Sequence, residues 1–212
     1  MGLLLKVIPV GPLAVNCSII ADDTTGKAVV VDPGADSEKI LEVVKEFEVV
    51  GILNTHGHID HVGQVGKIKE ELGVPFYLHP EDTYLIDDEI WNGFASYIKA
   101  VPCPPPDEHL EDGMVFRVGN LELKVIHTPG HTPGLCCFYI EEEGVLIAGD
   151  LLFKGSVGRW DLPGGDPEKL KNSLKRVFTE LPDETLVVCG HYDETTIGYE
   201  RKFNPYLHGG LL

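Results

Sequence analysis

Short apolar runs alternate with amphipathic segments along the chain, and this pattern predicts strands with helices between them. In the first half, strands are predicted at residues 3–8, 17–21, 28–31, 49–53 and 76–78, and helices at 37–47, 62–72 and 81–90. Asp36 or Ser37 has the side chain needed to cap the first helix. The second half repeats this order, with strands at 121–126, 145–148 and 186–189 and a main helix at 166–178. The chain is therefore expected to be an α/β protein.

Residues 91–113 break this pattern. Trp91, Phe94 and Tyr97 precede a proline-rich stretch at 101–106 that cannot form regular structure. Connections this long are uncommon unless they act as a lid or a binding loop. An aromatic cluster pinned to the core explains the segment equally well, and the sequence leaves both interpretations open.

The length favours a single domain over residues 1–212, or two fused halves that share one core. A chain of 212 residues can bury a substantial interior. No linker or low-complexity tract separates the two halves, so we expect one domain.

Three histidines and an aspartate lie within six residues, directly after the apolar run at 49–53. They are His56, His58, Asp60 and His61. Only a loop can aim four such closely spaced side chains at one point, because a helix would spread them around its circumference. Imidazole and carboxylate are preferred ligands of zinc, iron and manganese. The cluster therefore predicts a metal site at the end of a strand.

Three more potential ligands follow predicted strands in the second half. His131 follows the strand at 121–126, Asp150 follows the strand at 145–148, and His191 follows the strand at 186–189. Each has a glycine directly before it, which allows close backbone approach. One such aspartate would be explained equally well as a helix cap. Together with the first cluster, the set indicates a metal centre built from several strand ends.

Composition restricts the partners and the compartment. The net charge is −17, from 17 Lys and Arg against 34 Asp and Glu, which disfavours nucleic acid because phosphate binding depends on basic residues. Five cysteines without a CxxC spacing indicate reduced thiols and a cytoplasmic location. The N-terminus lacks the features of a signal peptide. No apolar run approaches the roughly 18 residues that span a bilayer.

The motif HxHxDH at residues 56–61, followed by His131, Asp150 and His191, resembles the metallo-β-lactamase superfamily. That resemblance covers nearly the whole chain and implies an αββα sandwich with the metal site at one edge of the two sheets. Within the superfamily, the chain looks most like the small, single-domain glyoxalase II-like hydrolases, which resemble hydroxyacylglutathione hydrolase. The segments that carry this finer resemblance are 16–18, 31–34, 149–155, 158–161, 163–166, 195–201 and 204–205.

The resemblance also implies a ligand set for two divalent metal ions. His56, His58 and His131 would hold one ion, Asp60, His61 and His191 the other, and Asp150 would bridge them. The expected metal is zinc, with iron or manganese as alternatives. Two such ions should convert a bridging water to hydroxide at neutral pH, and this hydroxide would attack a carbonyl carbon. Asp60 is expected to accept a proton during turnover as well as to bind metal.

The implied substrate is a small thioester such as S-lactoylglutathione, or a related acyl compound. Arg159 lies where the family places a basic substrate anchor, while Lys154, Arg201 and Lys202 are weaker candidates. One departure from the family pattern matters. The small hydrolases usually follow the last ligand with Gly-Pro, whereas Tyr192 stands here. This puts the glutathione thioester in doubt more than it does the hydrolysis.

A persulfide dioxygenase of the same fold is the alternative. That family uses one iron bound by two histidines and an aspartate, and it has a segment like Gly158-Arg159-Trp160-Asp161. It also retains residues similar to the second ligand group, so the sequence discriminates only weakly. A non-catalytic scaffold is disfavoured because every expected ligand is present, and the sequence leaves the oligomeric state open.

Overall fold

The computed structural model describes residues 2–87 and 92–209, and within them two six-stranded sheets dominate. The first sheet contains β1 (Leu3–Val10), β2 (Val15–Asp22), β3 (Lys27–Val31), β4 (Glu48–Leu53), β5 (Phe76–Leu78) and β6 (Glu108–His109). These strands lie in chain order. The pairs from β1 to β3 are antiparallel, and those from β3 to β6 are parallel.

The second sheet is built from the remaining long strands. They are β7 (Val115–Val118), β8 (Leu121–His127), β9 (Cys136–Ile140), β10 (Val145–Gly149), β13 (Leu186–Cys189) and β14 (Thr195–Thr196). Their order is β14-β13-β10-β9-β8-β7. A separate hairpin pairs β11 (Leu152–Phe153) with β12 (Ser156–Val157).

Helices cover the outer faces of the two sheets. They are α1 (Ser37–Val44), α2 (Ile59–Val62), α3 (Val65–Leu72), α4 (Thr83–Ile86), α5 (Asn92–Ile98), α6 (Pro167–Glu180), α7 (Ile197–Phe203) and α8 (Pro205–His208). Ile40 of α1 and Ile68 of α3 pack on the first sheet, and Leu170 and Leu174 of α6 pack on the second. A third apolar cluster fills the space between the sheets. The expected αββα sandwich is thus confirmed.

The helix predictions were correct in place but not always in extent. The helix at 37–47 ends at Val44, and the helix at 62–72 is two short helices, α2 and α3. The prediction for 81–90 holds only for a 3₁₀ turn at Pro80–Asp82 and for α4, and residues 88–90 lie outside the described residues. Asp36 occupies the N-cap position of α1 without capping it, because its carboxylate accepts the Gly11 N–H instead.

The proline-rich segment is tied to the rest of the fold. The Val101 N–H donates to the Gly63 carbonyl, at 2.8 Å, and the Asp107 N–H donates to the Phe76 carbonyl, at 2.9 Å. The Asp107 carboxylate in turn accepts the Phe76 N–H. These bonds anchor the part of the segment after α5, while Trp91 lies outside the described residues.

None of the helices within residues 2–87 and 92–209 is both long enough and apolar enough to cross a bilayer.

Candidate metal centre

Four strands deliver the predicted ligands to one edge of the sandwich. In the second sheet, β8, β10 and β13 run in the same direction, so their carboxyl ends lie at the same edge. His131, Asp150 and His191 follow these ends, and the 56–61 cluster follows β4 of the first sheet. The backbone joins the two sheets here, because the Asn16 N–H donates to the Gly190 carbonyl at 2.8 Å.

His56, His58 and His131 form a buried cluster that we call the trihistidine group. Each is at most 4% exposed. Their ring centroids lie 4.7–4.9 Å apart. A ligand nitrogen of each lies within 4.8 Å of those of the others, which leaves room for one ion between them.

Asp60, His61 and His191 form a second cluster, which we call the mixed group. Here too one ligand atom of each residue lies within 4.8 Å of the others. The Nε2 atoms of His61 and His191 are 3.3 Å apart. The Asp60 Oδ2 atom lies 3.4 Å from His191 Nε2 and 3.6 Å from His61 Nε2.

Asp150 lies between the two groups. Its Oδ2 atom is 3.5 Å from His131 Nε2 and 3.6 Å from His191 Nε2, and its Oδ1 atom is 3.5 Å from His61 Nε2. Gly190 makes this approach possible, since a Cβ atom at that position would lie 2.0 Å from Asp150 Oδ1. One carboxylate therefore faces ligands of both groups.

The residues fit divalent metal ions. His56 Nε2 and Asp150 Oδ1 are buried and lack a hydrogen-bond partner among the described residues. Buried polar atoms normally have a partner, and a metal ion would supply it for both. Imidazole nitrogens with carboxylate oxygens suit zinc, iron or manganese.

Electrostatics separate the two groups. Burial, with the neighbouring His131, lowers the pKa of His58 to about 3, and burial also lowers the pKa of His56. Burial lowers the pKa of His61 as well, but the carboxylates of Asp60, Asp150 and Asp32 outweigh it. The pKa of His61 is therefore raised to about 9. His56 and His58 are therefore neutral at pH 7, whereas His61 of the mixed group binds a proton when no metal competes.

The pKa values of the other residues in and beside the mixed group are shifted as well, namely those of His191, Asp60 and Asp150. Burial opposes protonation of His191, yet hydrogen bonds to Asp150 and Asp60 raise its pKa to about 11. Burial raises the pKa of Asp60 and Asp150, but the neighbouring histidines, His61 first, bring both below the ordinary value. Both carboxylates are thus ionised at neutral pH and available to cations.

A sequence profile of the metallo-beta-lactamase superfamily matches residues 10–191, a span that contains all seven of these side chains. The chain belongs to the metallo-β-lactamase superfamily. Among relatives, it is 33% identical over 208 residues to the hydroxyacylglutathione hydrolase GloC of Haemophilus influenzae. That match covers 96% of this chain and 98% of GloC.

Solved structures of the superfamily also match over almost the whole chain. TTHA1623 in a di-iron-bound form has a TM-score of 0.86 and 40% identity, covering 95% of this chain and 100% of that one. ETHE1 from Myxococcus xanthus has a TM-score of 0.79 and 26% identity, covering 97% of this chain and 85% of that one. The expected family is confirmed, while the assignment of the individual ligands stays a prediction.

Contacts to the far side of three of the imidazoles determine which nitrogen each presents to the site. The Nδ1 atom of His131 lies 2.7 Å from the Arg159 carbonyl, and that of His191 lies 3.0 Å from the Leu13 carbonyl. His61 Nδ1 lies 2.9 Å from Asp32 Oδ2. Each contact favours a proton on Nδ1 and leaves Nε2 free to bind metal, an orientation typical of metal-bound histidines.

Two supporting carboxylates were not predicted as site residues. Asp82 accepts the Gly57 N–H at 2.9 Å, the Thr132 hydroxyl at 2.7 Å and the Gly134 N–H at 2.6 Å. It therefore links the two loops that carry the trihistidine group. No pattern marks Asp82, which lies in a short 3₁₀ turn.

Asp32 supports the mixed group. Besides its contact to His61, it accepts the N–H and the hydroxyl of Thr55, at 2.7 and 2.6 Å. Its position after an apolar run was visible in the sequence, as an aspartate before Pro-Gly. The position of this carboxylate at the end of a strand is the sequence signal that could have identified Asp32 as a supporting residue.

Three of the four predicted basic anchors form ion pairs within the protein. Arg159 pairs with Asp161 through Nε and Nη2, at 2.7 and 2.9 Å, and its side chain remains 60% exposed. Lys154 lies 3.9 Å from Asp193, and Arg201 lies 2.7 Å from Asp183. Arg159 is thus near the site through its backbone carbonyl, and its role as a substrate anchor stays a prediction.

Two other histidines pair with each other outside the seven. His127 stacks on His79, with ring centroids 4.0 Å apart, and lies 2.8 Å from the Pro133 carbonyl. His79 lies in the loop after β5 and is only 9% exposed. A groove of about 730 Å³ between α3 and residues 101–104 contains none of the seven predicted ligands among its lining residues. The candidate metal centre is therefore recognised from its potential ligands and not from the position of this groove.

Proposed function

We propose that the protein is a dinuclear-metal hydrolase that cleaves thioesters, such as S-lactoylglutathione, or related acyl compounds. The observation that carries the proposal is the position of Asp150, whose carboxylate faces His131 of the trihistidine group and both histidines of the mixed group. A centre for one ion would need only one of these groups. The similarity to the hydrolase GloC supports the same substrate class.

Metal ions held by these residues would supply a hydroxide nucleophile at neutral pH and polarise the carbonyl under attack. The chain's own contribution is to hold and move protons around them. Asp60 is ionised at neutral pH, and its side chain is 16% exposed, so it can take up a proton as water is consumed. During hydrolysis the carbonyl C–S bond breaks and a C–O bond forms. The thiolate can leave without being protonated first, because free thiols have a pKa of only about 8.5.

Zinc is the metal we propose, since hydrolysis requires a Lewis acid and no change of redox state. The di-iron form of TTHA1623 makes iron the first alternative. The substrate would be recognised partly by Arg159. A guanidinium has five N–H donors, and the pair with Asp161 uses two of them, so donors remain for a substrate carboxylate.

We also propose that the enzyme works in the cytoplasm. All five cysteines are free thiols, and four of them are buried. Burial raises the pKa of Cys136 and raises that of Cys137 to about 12, so neither supplies a thiolate nucleophile. Reduced, inert thiols fit a reducing compartment.

The alternative is a persulfide dioxygenase of the same fold, a family with a segment like Gly158-Arg159-Trp160-Asp161. Metal titration tests the proposal against it. Protein stripped by a chelator should regain thioesterase activity with zinc and reach its maximum at two equivalents per chain. A maximum at one equivalent, or activity with ferrous iron alone, would contradict the dinuclear hydrolase. His208→Ala, a change on an exposed histidine of α8, is the matched control for incidental metal binding.

A further inference from the structure

Tyr192, the residue after the ligand His191, has an unusual backbone. Its φ angle is +65°, in the left-handed region, which glycine adopts freely and a bulky residue rarely does. Its side chain is not packed into the core in return, because the residue is 80% exposed. Strained residues of this kind cluster at functional sites, where the surrounding structure holds them in place.

Asn16 holds this conformation. Its side-chain amide donates to the Cys189 carbonyl and to the Tyr192 carbonyl, each at 2.9 Å. Its backbone N–H donates to the Gly190 carbonyl, and His191 Nδ1 lies 3.0 Å from the Leu13 carbonyl. The backbone of residues 189–192 is therefore held on both sides of His191, and the same contacts hold the backbone from which the Tyr192 side chain extends.

The Tyr192 ring belongs to a small aromatic face at the mixed group. Its centroid lies 6.0 Å from the His191 ring and 5.9 Å from the Phe153 ring, the latter in an edge-to-face arrangement. Phe153 follows the bridging Asp150 by three residues and lies 6.2 Å from His191. Two segments that carry metal-facing side chains thus each project an aromatic ring beside them.

The charges around this face narrow the class of ligand. Asp193 and Glu194 follow Tyr192 directly and are exposed, and Lys154 lies 3.9 Å from Asp193. The carboxylates of Asp193 and Glu194 would repel an anionic group of the substrate. A flat, neutral group could instead stack on the rings of Tyr192 and Phe153. Such aromatic contacts are favourable beyond the apolar area that they bury.

We propose that Tyr192 and Phe153 form a subsite for a neutral aromatic or otherwise flat apolar group on the acyl side of the substrate. The inference rests on the proposed thioesterase function and assigns Tyr192 as its specificity-determining residue. In this proposal the left-handed φ angle of Tyr192 costs folding free energy, but it places the aromatic ring beside the predicted metal ligands.

Substrate selectivity tests the subsite. The probes are a matched pair of neutral thioesters, S-acetyl- and S-phenylacetyl-N-acetylcysteamine, assayed with metal-loaded protein. The wild type should favour the phenylacetyl compound in kcat/KM. Tyr192→Gly, which relieves the backbone strain and removes the ring, should lose roughly three- to tenfold of that preference. Tyr192→Phe should keep it, and Phe203→Ala, an exposed aromatic that contacts Tyr199 instead, should leave it unchanged.

A purely structural Tyr192 would lower the activity on both thioesters equally, and this result would overturn the subsite while leaving the thioesterase intact. If the wild type cleaves neither compound, the proposed thioesterase function is wrong. The subsite can then be tested on its own by measuring ligand binding. Calorimetry with S-phenethyl-N-acetylcysteamine, an inert thioether, should then show weaker binding to Tyr192→Gly than to the wild type. Equal binding to both would contradict the inference.

Discussion

The trihistidine group and the mixed group lie side by side, yet they differ in charge state. His56 and His58 are buried among other imidazoles, which lowers their pKa values and keeps them neutral. His61 is also buried and His191 is partly buried, but carboxylates reach both and raise their pKa values to about 9 and 11. Without metal, His56 and His58 are therefore neutral and can bind an ion directly, whereas His61 and His191 carry protons.

This difference predicts unequal loading of the two sites. A metal ion can enter the trihistidine group without displacing protons from His56 or His58. At the mixed group, an ion must displace the protons of His61 and His191, and it gains the two carboxylates Asp60 and Asp150 in exchange. Asp150, the predicted bridge, would join two sites that differ in how strongly pH affects metal binding.

Asp150→Asn should have the largest effect, because it removes the anion that both groups share. We expect turnover to fall by about 10³-fold, at the upper end of the losses seen when one preorganised electrostatic contact is removed. Metal content should fall below two ions per chain by elemental analysis. Asp193→Asn, an exposed aspartate near the site, is the control, and a fully active Asp150→Asn protein would contradict the bridge.

His58→Ala should remove one ion and leave the other. The mixed group keeps all of its side chains, so the variant should bind about one ion per chain and lose at least roughly 10²-fold in activity. Elemental analysis of the dialysed protein measures the first effect. Two tightly bound ions in this variant would show that His58 is not a ligand.

Lower pH should weaken the mixed group selectively. Between pH 8 and 6, binding of its ion should weaken by up to about 100-fold per pH unit, because two protons compete. Calorimetry in buffers of different ionisation enthalpy counts the protons released. Binding steps that depend equally on pH would contradict the difference between the groups.

The metal-free protein should respond to pH in the opposite sense. A pKa raised in the folded state contributes stability that is complete below the unfolded value near 6.5 and is lost as pH rises. The loss for His61 runs through about pH 9, so the melting temperature of metal-free protein should be lower at pH 9.5 than at pH 6.5. Metal-loaded protein should not show this fall.

The supporting carboxylates allow each group to be weakened separately. Asp82→Asn should reduce affinity for the ion of the trihistidine group, and Asp32→Asn that of the mixed group, each by roughly 10- to 100-fold. Asparagine suits position 32 because it tolerates the left-handed φ angle of +53° found there. Competition with a chromophoric chelator measures both affinities, and a reversed pattern would refute the assignment of the two supports.

Arg159→Ala should have the smallest effect. Its side chain is 60% exposed, so we expect a loss of only about 1 kcal/mol, as a several-fold higher KM for anionic thioesters. Neutral thioesters should be unaffected. Equal losses on both would mean that Arg159 acts through its pair with Asp161.

The α/β class and the strand-end positions of the seven candidate side chains could be predicted from local signals, whereas the family and the αββα layers followed from the resemblance carried by the HxHxDH motif. Apolar runs that end in His or Asp indicate both a strand and the point where it stops. Asp82 could not be found in this way, because its role depends on two loops meeting from residues 57 and 132–134. The end of α1 at Val44 and the break between α2 and α3 were also missed, since the apolar spacing continues past both points.

Anaerobic turnover by zinc-loaded protein tests the central claim most directly. If two ions held by the trihistidine and mixed groups drive hydrolysis, zinc-loaded protein should cleave S-lactoylglutathione or a simpler thioester with no oxygen present. The parallel reaction is iron-loaded protein with glutathione persulfide, followed by an oxygen electrode. Thioester cleavage without oxygen, and no oxygen uptake with persulfide, is the predicted result. No cleavage under zinc, together with oxygen uptake under iron, would contradict the hydrolase and favour the dioxygenase.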